Sequence, residues 1–417
     1  MQTVKLTDTW LVDDRADLFH GDVVLHPDGS WAPANGDEGV DEVINGSRLL
    51  VTRTLQNWHT HLAMVLNRSM GEGLPLQRWL SEVIFPVEQL LNVDLVRVGT
   101  TAAAAELIRT GTSFACDMYY FPDVVADVLV AAGLRGLACG PVTDFGTPSY
   151  PGGARESLAQ LDRLLAEGTA APDRVRFGIG MHSVYTCSEA TLRAGARLAD
   201  ARDGQIHIHV SETRKEVADC LQQTGRTPPR FLADVGLLRP GTVAAHCCWT
   251  EGDDAQVLAE AGVIATHTPV SNMKLATGRT MSVPTLVGAG VDVRLGTDGP
   301  ASNNSLDLRS EAKVASLVQR HDHAEATLLD PRQTWLLATK GSQDWVTWDL
   351  DDVRMRPMGP DGARLLSNLV YSNAQCVDMW VAGAPVRRQG VTLTLDEADV
   401  RDRLEHAVQR YYHGMRG

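Results

Sequence analysis

Short apolar runs alternate with longer amphipathic stretches through the middle of this chain. Eight of the short runs have strand character, and they cover residues 51–57, 112–118, 134–139, 175–181, 206–210, 243–247, 263–267 and 292–297. The stretches between them carry apolar residues three and four positions apart, which is typical of helices buried on one face. Eight strands alternating with helices over roughly 250 residues predict an α/β fold, a (β/α)8 TIM-type barrel. A doubly wound open sheet is the alternative, but no GxGxxG motif follows the first run.

The two ends of the chain have a different pattern. Residues 1–50 contain short alternating apolar runs separated by Gly, Pro, Asn and Asp, which is typical of strands joined by tight turns. Residues 341–395 return to this pattern, and residues 396–417 have an amphipathic helical pattern. We therefore predict a metal-dependent barrel over residues 51–340, a small composite β-sandwich domain formed by the N- and C-terminal segments, and a closing helix.

Composition excludes several classes of partner. The 417 residues carry a net charge of −14 without a basic patch, which argues against nucleic acid. No apolar run approaches the roughly 18 to 20 residues of a membrane span, and the N-terminus lacks an apolar signal core. The seven scattered cysteines are typical of reduced thiols. We expect a cytoplasmic protein that acts on a small molecule as a homo-oligomer.

Histidines and acids follow the predicted strands. In an extended segment residues i and i+2 point to the same face, so His59 and His61 leave the first strand as a pair. Alone, this HxH pair also fits a solvated sheet face. The ends of the later strands add His182 after the fourth, His209 and Glu212 after the fifth, His246 after the sixth, His267 after the seventh and Asp298 after the eighth. Because barrel strands end at one rim, we expect these side chains to lie close together.

Three histidines and an aspartate are ligands suited to a divalent metal. Zn²⁺ is the first expectation, with Fe²⁺ or Mn²⁺ as alternatives. Such a site keeps one position for water and lowers the pKa of that water to roughly 7. A carboxylic acid must then deliver a proton to the electrophile, and Glu212 is placed for this three residues after His209.

Structural interpretations compete with the functional ones. His182 and His246 also fit buried core histidines, and Asp298 in GTDG also fits a turn, but their places after strands favour function. His267 is evenly balanced between the two. His207 is predicted to point away from His209 and to pack against a helix.

Six motifs in order resemble the amidohydrolase superfamily, and within it the methylthioadenosine/S-adenosylhomocysteine deaminase and chlorohydrolase branch. They are NWHTHLAM, GMHSVYTCS, HIHVSET, AAHCCWT, HTPVSNMKLATG and LGTDGPASNNSLDL. The resemblance implies one metal, because Met181-His182 stands where dinuclear relatives carry a bridging lysine. It implies the metal ligands His59, His61, His209 and Asp298.

The resemblance also implies roles for other residues. Glu212 and His246, with Asp298, would move protons around the attacking water. The implied substrate contacts are His182 with the ring, Glu88 with the ribose hydroxyls, Ser302 with the purine, Trp79 in the pocket wall and Arg155 with an amino-acid carboxylate.

Two departures from the family pattern limit the expected function. A second arginine expected near Gly140 is absent, which disfavours S-adenosylhomocysteine. The segment after about residue 335 is shortened, so we expect either a more open pocket or a partner subunit over the gap. The expected function is zinc-dependent hydrolytic deamination of an aminated heterocycle, first of all adenosine or a 5′-modified adenosine. Alternatives are a cytosine nucleoside, guanine or pterin, a chlorinated triazine, or a metal-bound scaffold without catalysis.

Overall fold

The computed structural model describes residues 2–34, 36 and 39–414. Its N-terminal part is made of short strands, as the alternating pattern predicts. The longest two pair antiparallel around a register shift between Leu6 and Thr9. These strands are β1 (Val4–Val12), β2 (Leu18–Leu25), β3 (Trp31–Pro33), β4 (Glu42–Asn45) and β5 (Leu49–Arg53).

Eight parallel strands then form the barrel, and the predicted fold is confirmed. They are β6 (Leu55–Thr60), β7 (Thr112–Met118), β8 (Arg135–Val142), β9 (Val175–Met181), β10 (Ile206–Val210), β11 (Val243–His246), β12 (Ile264–His267) and β13 (Asp292–Leu295). The first and last strands meet at a seam. There the Asp298 amide donates to the His59 carbonyl at 2.9 Å, and the Asn57 amide group donates to the Thr297 hydroxyl at 2.8 Å.

The predicted first strand, residues 51–57, is wrong in its bounds. Two strands meet at Thr54: Leu49–Arg53 lies in the flanking sheet, and Leu55–Thr60 begins the barrel. The Leu49–Arg53 strand pairs with Trp345–Asp349, nearly 300 residues later in the chain. Only Thr54 separates the two strands and no glycine or proline lies between them, so the local pattern carries no sign of the change of sheet.

Helices surround the barrel, and shorter helical segments lie at its rim. Several begin at side-chain caps, including Asn92, Ser188 and Thr213, whose oxygens accept backbone N–H groups of the first turn. A 3₁₀ segment (Leu62–Asn67) and a π-helical turn (Leu80–Ile84) follow β6. The α-helices are α1 (Leu76–Trp79), α2 (Phe85–Glu88), α3 (Val93–Arg109), α4 (Pro122–Ala131), α5 (Ala154–Glu167), α6 (Glu189–Arg202), α7 (Arg214–Thr224), α8 (Pro228–Asp234), α9 (Asp254–Glu260), α10 (Pro269–Lys274), α11 (Val283–Gly288), α12 (Pro300–Asn303), α13 (Leu308–His323) and α14 (Pro331–Thr339).

The C-terminal segment completes the flanking sheet. Its elements are β14 (Trp345–Asp349), two 3₁₀ turns (Val353–Met355 and Pro360–Gly362), α15 (Leu365–Ser372), β15 (Cys376–Val381), β16 (Ala384–Arg388), β17 (Val391–Thr392) and α16 (Glu397–Gly414). The strands run in the order β17-β16-β15-β14-β5-β1-β2-β3, with β4 also paired to β1. The predicted composite domain from the two ends of the chain is therefore confirmed as a separate sheet. The prediction was a sandwich, whereas the described strands are hydrogen-bonded in one continuous sheet.

Helix α14 covers the barrel seam, at the start of the segment that the sequence analysis describes as shortened. It packs against both β6 and β13, the two strands that meet at the seam. Trp335 on α14 is buried and packs edge-on against buried Trp348 of β14. The seam is therefore covered by a helix of the same chain.

Helix α16 returns to the barrel rim. The Tyr411 hydroxyl donates to the Val87 carbonyl at 3.0 Å, and the Tyr412 hydroxyl donates to the Leu66 carbonyl at 3.3 Å. These carbonyls belong to α2 and to the 3₁₀ segment after β6. In the part of the chain that is described, no helix is apolar over a length that would traverse a bilayer.

Candidate active site

Three predicted site residues meet where the barrel seam closes. His59 lies at the end of β6, His61 lies one residue beyond it, and Asp298 follows β13. The Asp298 Oδ1 atom is 3.3 Å from His59 Nε2 and 3.2 Å from His61 Nε2. His59 and Asp298 are buried, so the three polar groups are shielded from bulk water.

Backbone carbonyls orient two of the histidine rings. The Nδ1 atom of His61 donates to the Met118 carbonyl at 2.6 Å. The Nδ1 atom of His209, at the end of β10, donates to the His182 carbonyl at 2.7 Å. Because Nδ1 carries the proton in each neutral ring, Nε2 keeps its lone pair, which is the arrangement that metal-binding histidines require.

Hydrogen bonds fix the Asp298 carboxylate. Its Oδ2 atom accepts from the hydroxyls of Ser271 at 2.5 Å and Ser302 at 3.1 Å. Its Oδ1 atom accepts from the Gly299 amide at 2.7 Å. Three donors on one carboxylate favour its ionised form and leave little freedom to rotate.

The distances between the candidate ligand atoms fit a metal ion with tetrahedral coordination. Two nitrogen or oxygen ligands, each about 2.0–2.1 Å from zinc, lie about 3.3–3.4 Å apart at the tetrahedral angle. The His59–Asp298 and His61–Asp298 distances come close to this value, and the buried His59 Nε2 atom makes no hydrogen bond. Two overlapping groups keep their potential ligand atoms within 4.8 Å of one another: His59 with His61 and Asp298, and His59 with His209 and His246. The residues present therefore fit a divalent metal.

Burial and charge set the protonation of the two acids at this centre. Burial raises the pKa of Glu212 well above its usual range, and the Asp298 and Glu216 carboxylates raise it further. Burial would also raise the pKa of Asp298, but the adjacent imidazoles of His59 and His61 outweigh burial and hold that pKa well below its usual range. One carboxyl is thus a proton donor and the other a proton acceptor near neutral pH.

Glu212 and His246 face each other across the centre. Glu212 Oε1 lies 3.9 Å from His246 Nε2. The loop that carries Glu212 is held by Glu216, whose carboxylate accepts from the amides of Ser211 and Glu212 at 2.8 Å each. The acid is therefore presented from a fixed backbone.

His246 is neutral and held from behind. Its Nδ1 atom lies 3.1 Å from the Asn272 amide nitrogen and 3.0 Å from the Thr268 hydroxyl. Burial lowers the pKa of His246 to about 3, despite the opposing charge of Asp298. With the Asn272 amide donating to Nδ1, the ring proton lies on Nε2, and this N–H points toward the side of Glu212.

Backbone strain is concentrated at these strand ends. His246, Asp298 and Ser211 have φ values of 72°, 60° and 51°, in the left-handed region that non-glycine residues seldom adopt. Such conformations persist where the surrounding structure enforces them, and they are frequent at functional sites. Here they turn the side chains of His246 and Asp298 toward the rim.

A largely apolar pocket of about 610 Å³ opens over this centre. Three predicted substrate contacts, Trp79, Glu88 and His182, line it. Its apolar wall comes from the segment after β6, with Leu76, Leu80, Ile84 and Phe85. Among the described residues that line the pocket, none is lysine or arginine. The wall suits a ligand without an anionic group.

Glu88 is the carboxylate of the pocket that lies away from the metal centre. Its two oxygens accept from the hydroxyls of Tyr119 at 2.7 Å and Tyr120 at 2.9 Å. Burial raises the pKa of Glu88 to about 7, although both tyrosine hydroxyls oppose the rise. The sequence analysis missed these tyrosines, which directly follow β7 as an aromatic pair at a strand end.

The Amidohydrolase family model matches residues 50–343, most of the chain. The chain belongs to the amidohydrolase family. This amidohydrolase is 44% identical over 301 residues to the 5′-deoxyadenosine deaminase of Methanothermobacter thermautotrophicus, with 72% of this chain and 69% of the relative covered. It is 37% identical over 328 residues to the 5-methylthioadenosine/S-adenosylhomocysteine deaminase of Thermococcus kodakarensis, with 78% and 77% covered. A solved adenosine deaminase from Xanthomonas campestris with bound zinc has a TM-score of 0.91, 28% identity and 98% coverage of both chains.

Two expected substrate contacts of this amidohydrolase lie elsewhere in the structure. Arg155 is exposed on the first turn of α5 and does not line the pocket. Ser302 is buried, and its hydroxyl contacts Asp298 and Ser271. Ser302 thus supports the Asp298 carboxylate, and the structure gives it no face on the pocket.

His207 and His267, for which a structural role was considered, lie in different surroundings. The prediction that His207 points away from His209 is wrong: residues i and i+2 share a face, and His207 lies inside the barrel with Nε2 2.8 Å from His59 Nδ1. His267 is buried, does not line the pocket, and has no hydrogen-bond partner for either ring nitrogen. His267 belongs to none of the candidate metal-binding groups among the described residues.

Proposed function

We propose that this amidohydrolase is a zinc-dependent hydrolytic deaminase of adenosine derivatives with an uncharged 5′ group. The main supporting observation is that the neutral acid Glu212 and the ionised Asp298, which lies next to His61, line the same largely apolar pocket. The names of the two relatives and of the zinc-bound solved structure support the same chemistry. 5′-Deoxyadenosine and 5′-methylthioadenosine are the first candidate substrates.

One zinc ion is the proposed cofactor. His59, His61, His209 and Asp298 would hold it. Potential ligand atoms of His59, His61 and Asp298 form one close group, those of His59 and His209 lie in a second, and the ring protons lie on the far nitrogens of His61 and His209. Bound zinc lowers the pKa of a water ligand to about 7 and so supplies a nucleophile near neutral pH.

The remaining chemistry belongs to side chains. Asp298, ionised, takes a proton from the attacking water, and the Nε2–H of His246 orients the oxygen. Glu212, neutral, donates a proton to the ring nitrogen beside the amino-bearing carbon. The water oxygen bonds to that carbon, Asp298 passes its proton to the amino group, the carbon–nitrogen bond breaks and ammonia leaves. The ring nitrogen keeps the proton from Glu212, and the second proton of the water returns to Glu212 as the ring carbonyl forms. Acid–base groups of this kind contribute roughly 10²–10⁴-fold each.

Pocket residues decide which adenosine derivative binds. Glu88 would accept hydrogen bonds from the two ribose hydroxyls, with Tyr119 and Tyr120 holding its carboxylate in place. His182 would contact the purine ring, and Trp79 would close the wall. A substrate with a free carboxylate or phosphate at the 5′ end would meet no cationic partner among the described lining residues, so S-adenosylhomocysteine should be a poor substrate.

An ammonia-release screen of the zinc-loaded protein tests the proposal. The panel is 5′-deoxyadenosine, 5′-methylthioadenosine, adenosine, S-adenosylhomocysteine, cytidine, guanine and a chlorotriazine, with chloride release measured for the last. We expect the highest kcat/KM for the two uncharged 5′-modified adenosines. A preference for cytidine, guanine or chloride release would overturn the substrate class. Stoichiometric metal without turnover on any compound would favour a non-catalytic scaffold.

A further inference from the structure

A row of buried side chains lies below the candidate metal centre, inside the barrel. His207 of β10 lies two residues before His209, and its Nε2 atom is 2.8 Å from Nδ1 of His59. Its Nδ1 atom lies 3.4 Å from the sulfur of Cys116 on β7. All three residues are fully buried. The mechanism above gives His207 and Cys116 no role.

The positions of the protons along this row of side chains follow from counting the N–H groups and lone pairs of the two imidazoles. A neutral imidazole has one N–H and one lone pair. If His59 offers its Nε2 lone pair to a metal, its proton must lie on Nδ1 and be donated to His207 Nε2. His207 must then carry its own proton on Nδ1, directed at the Cys116 sulfur, which is a weak acceptor.

His59 differs in this respect from the two other histidines proposed as ligands. His61 and His209 donate to backbone carbonyls, which can only accept. The imidazole of His207 can accept or donate, so the form of His59 depends on the form of His207. We propose that His207 is a positioning residue that holds His59 in its metal-binding tautomer and orientation, with Cys116 as the terminal acceptor. This inference rests on the proposed zinc centre.

A second arrangement of the same residues is the main competitor. Ligand atoms of Cys116, Cys139 and His207 lie within 4.8 Å of one another, so the three could themselves hold a thiophilic metal. That metal would take the Nδ1 lone pair of His207 and move its proton to Nε2. His59 would then receive a hydrogen bond at Nδ1 and carry its proton on Nε2. The two metal sites are therefore mutually exclusive as long as both imidazoles stay neutral.

Zinc affinity measured by chelator competition tests the positioning role. His207→Leu removes the acceptor while keeping an apolar volume in the barrel, and we expect a 10–100-fold loss of zinc affinity, the usual effect of deleting a partner of a metal ligand. His207→Gln places a carbonyl acceptor near the position of Nε2 and should restore most of the affinity. His267→Leu is the matched control, since it also replaces a buried histidine, and its zinc affinity should stay close to wild type.

Histidine ¹⁵N spectra of the wild-type zinc protein give a readout that needs no variant to fold. We expect His207 to carry its proton on Nδ1 and His59 on Nδ1. A proton on His207 Nε2, or a second metal ion bound by thiolates, would overturn the inference, as would unchanged zinc affinity in His207→Leu. Wild-type protein that neither holds zinc nor releases ammonia would instead refute the proposed function.

Discussion

Replacing Glu212 by glutamine is the sharpest test of the proposed chemistry. The amide has the size of the carboxylic acid but has no acidic proton to give to the ring nitrogen. Glu212 Oε1 lies 3.9 Å from His246 Nε2, and the residue is not among the groups proposed to bind metal. Zinc content should therefore stay at one per chain.

The expected magnitude follows from the role. Loss of a general acid lowers kcat roughly 10²–10⁴-fold, which corresponds to about 2.7–5.4 kcal/mol of transition-state stabilisation. KM should change little, because the acid acts on the bound ring. Although Glu212→Gln lowers kcat, it should raise the stability of the fold. The raised pKa of Glu212 keeps it neutral in the folded protein at pH 7, whereas in the unfolded chain it ionises, so this carboxyl destabilises the fold above its unfolded pKa. A neutral amide removes that penalty.

The assay pairs turnover with thermal unfolding. Glu212→Gln should lose turnover on 5′-deoxyadenosine, keep zinc, and unfold at a temperature equal to or above that of the wild type at pH 7, with the difference shrinking toward pH 4.5. Turnover within tenfold of wild type would refute the acid role. Loss of zinc together with turnover would show that Glu212 serves the metal centre.

Three further predictions concern the pocket and the metal. Glu88→Gln should raise KM for nucleosides far more than for free adenine, because only nucleosides carry the ribose; equal effects in steady-state assays would remove the ribose contact. Since burial raises the pKa of Glu88 to about 7 and its ionised form accepts hydrogen bonds, kcat/KM for nucleosides relative to free adenine should fall as pH drops below about 7; a flat ratio would exclude this titration. Chelation should abolish turnover and lower the Tm, and added zinc should restore both, because a ligand bound only by the folded state stabilises it; an unchanged Tm would argue against a metal at His59 and Asp298.

The barrel and the centre could be predicted because both depend on local patterns with a general geometric rule. Apolar runs marked the strands, and parallel strands end at one rim, so His59, His61, His209 and Asp298 were expected together. The structure places potential ligand atoms of His59, His61 and Asp298 in one close group, and those of His59 and His209 in a second group with His246. The change of sheet at Thr54 could not be predicted, because the pairing partner is nearly 300 residues away.

The surroundings of the centre were harder to predict. Ser271 and Tyr120 contact site carboxylates from other elements, and nothing in their local sequence marks those contacts. Ser302 was expected on the purine because the resemblance gives a position in a motif and no direction for the side chain. The orientation of His207 was predictable from the two-residue period of a strand, and the prediction failed because that period was misapplied.

The hydrogen bond from the Tyr411 hydroxyl to the Val87 carbonyl joins residues 324 positions apart in the sequence. During synthesis on the ribosome, this contact can form only after all eight barrel strands have been made. The histidine–aspartate rim needs the chain only as far as Asp298. The candidate metal ligands are therefore all synthesised before α16 can hold α2, the short helix that carries Glu88 to the pocket.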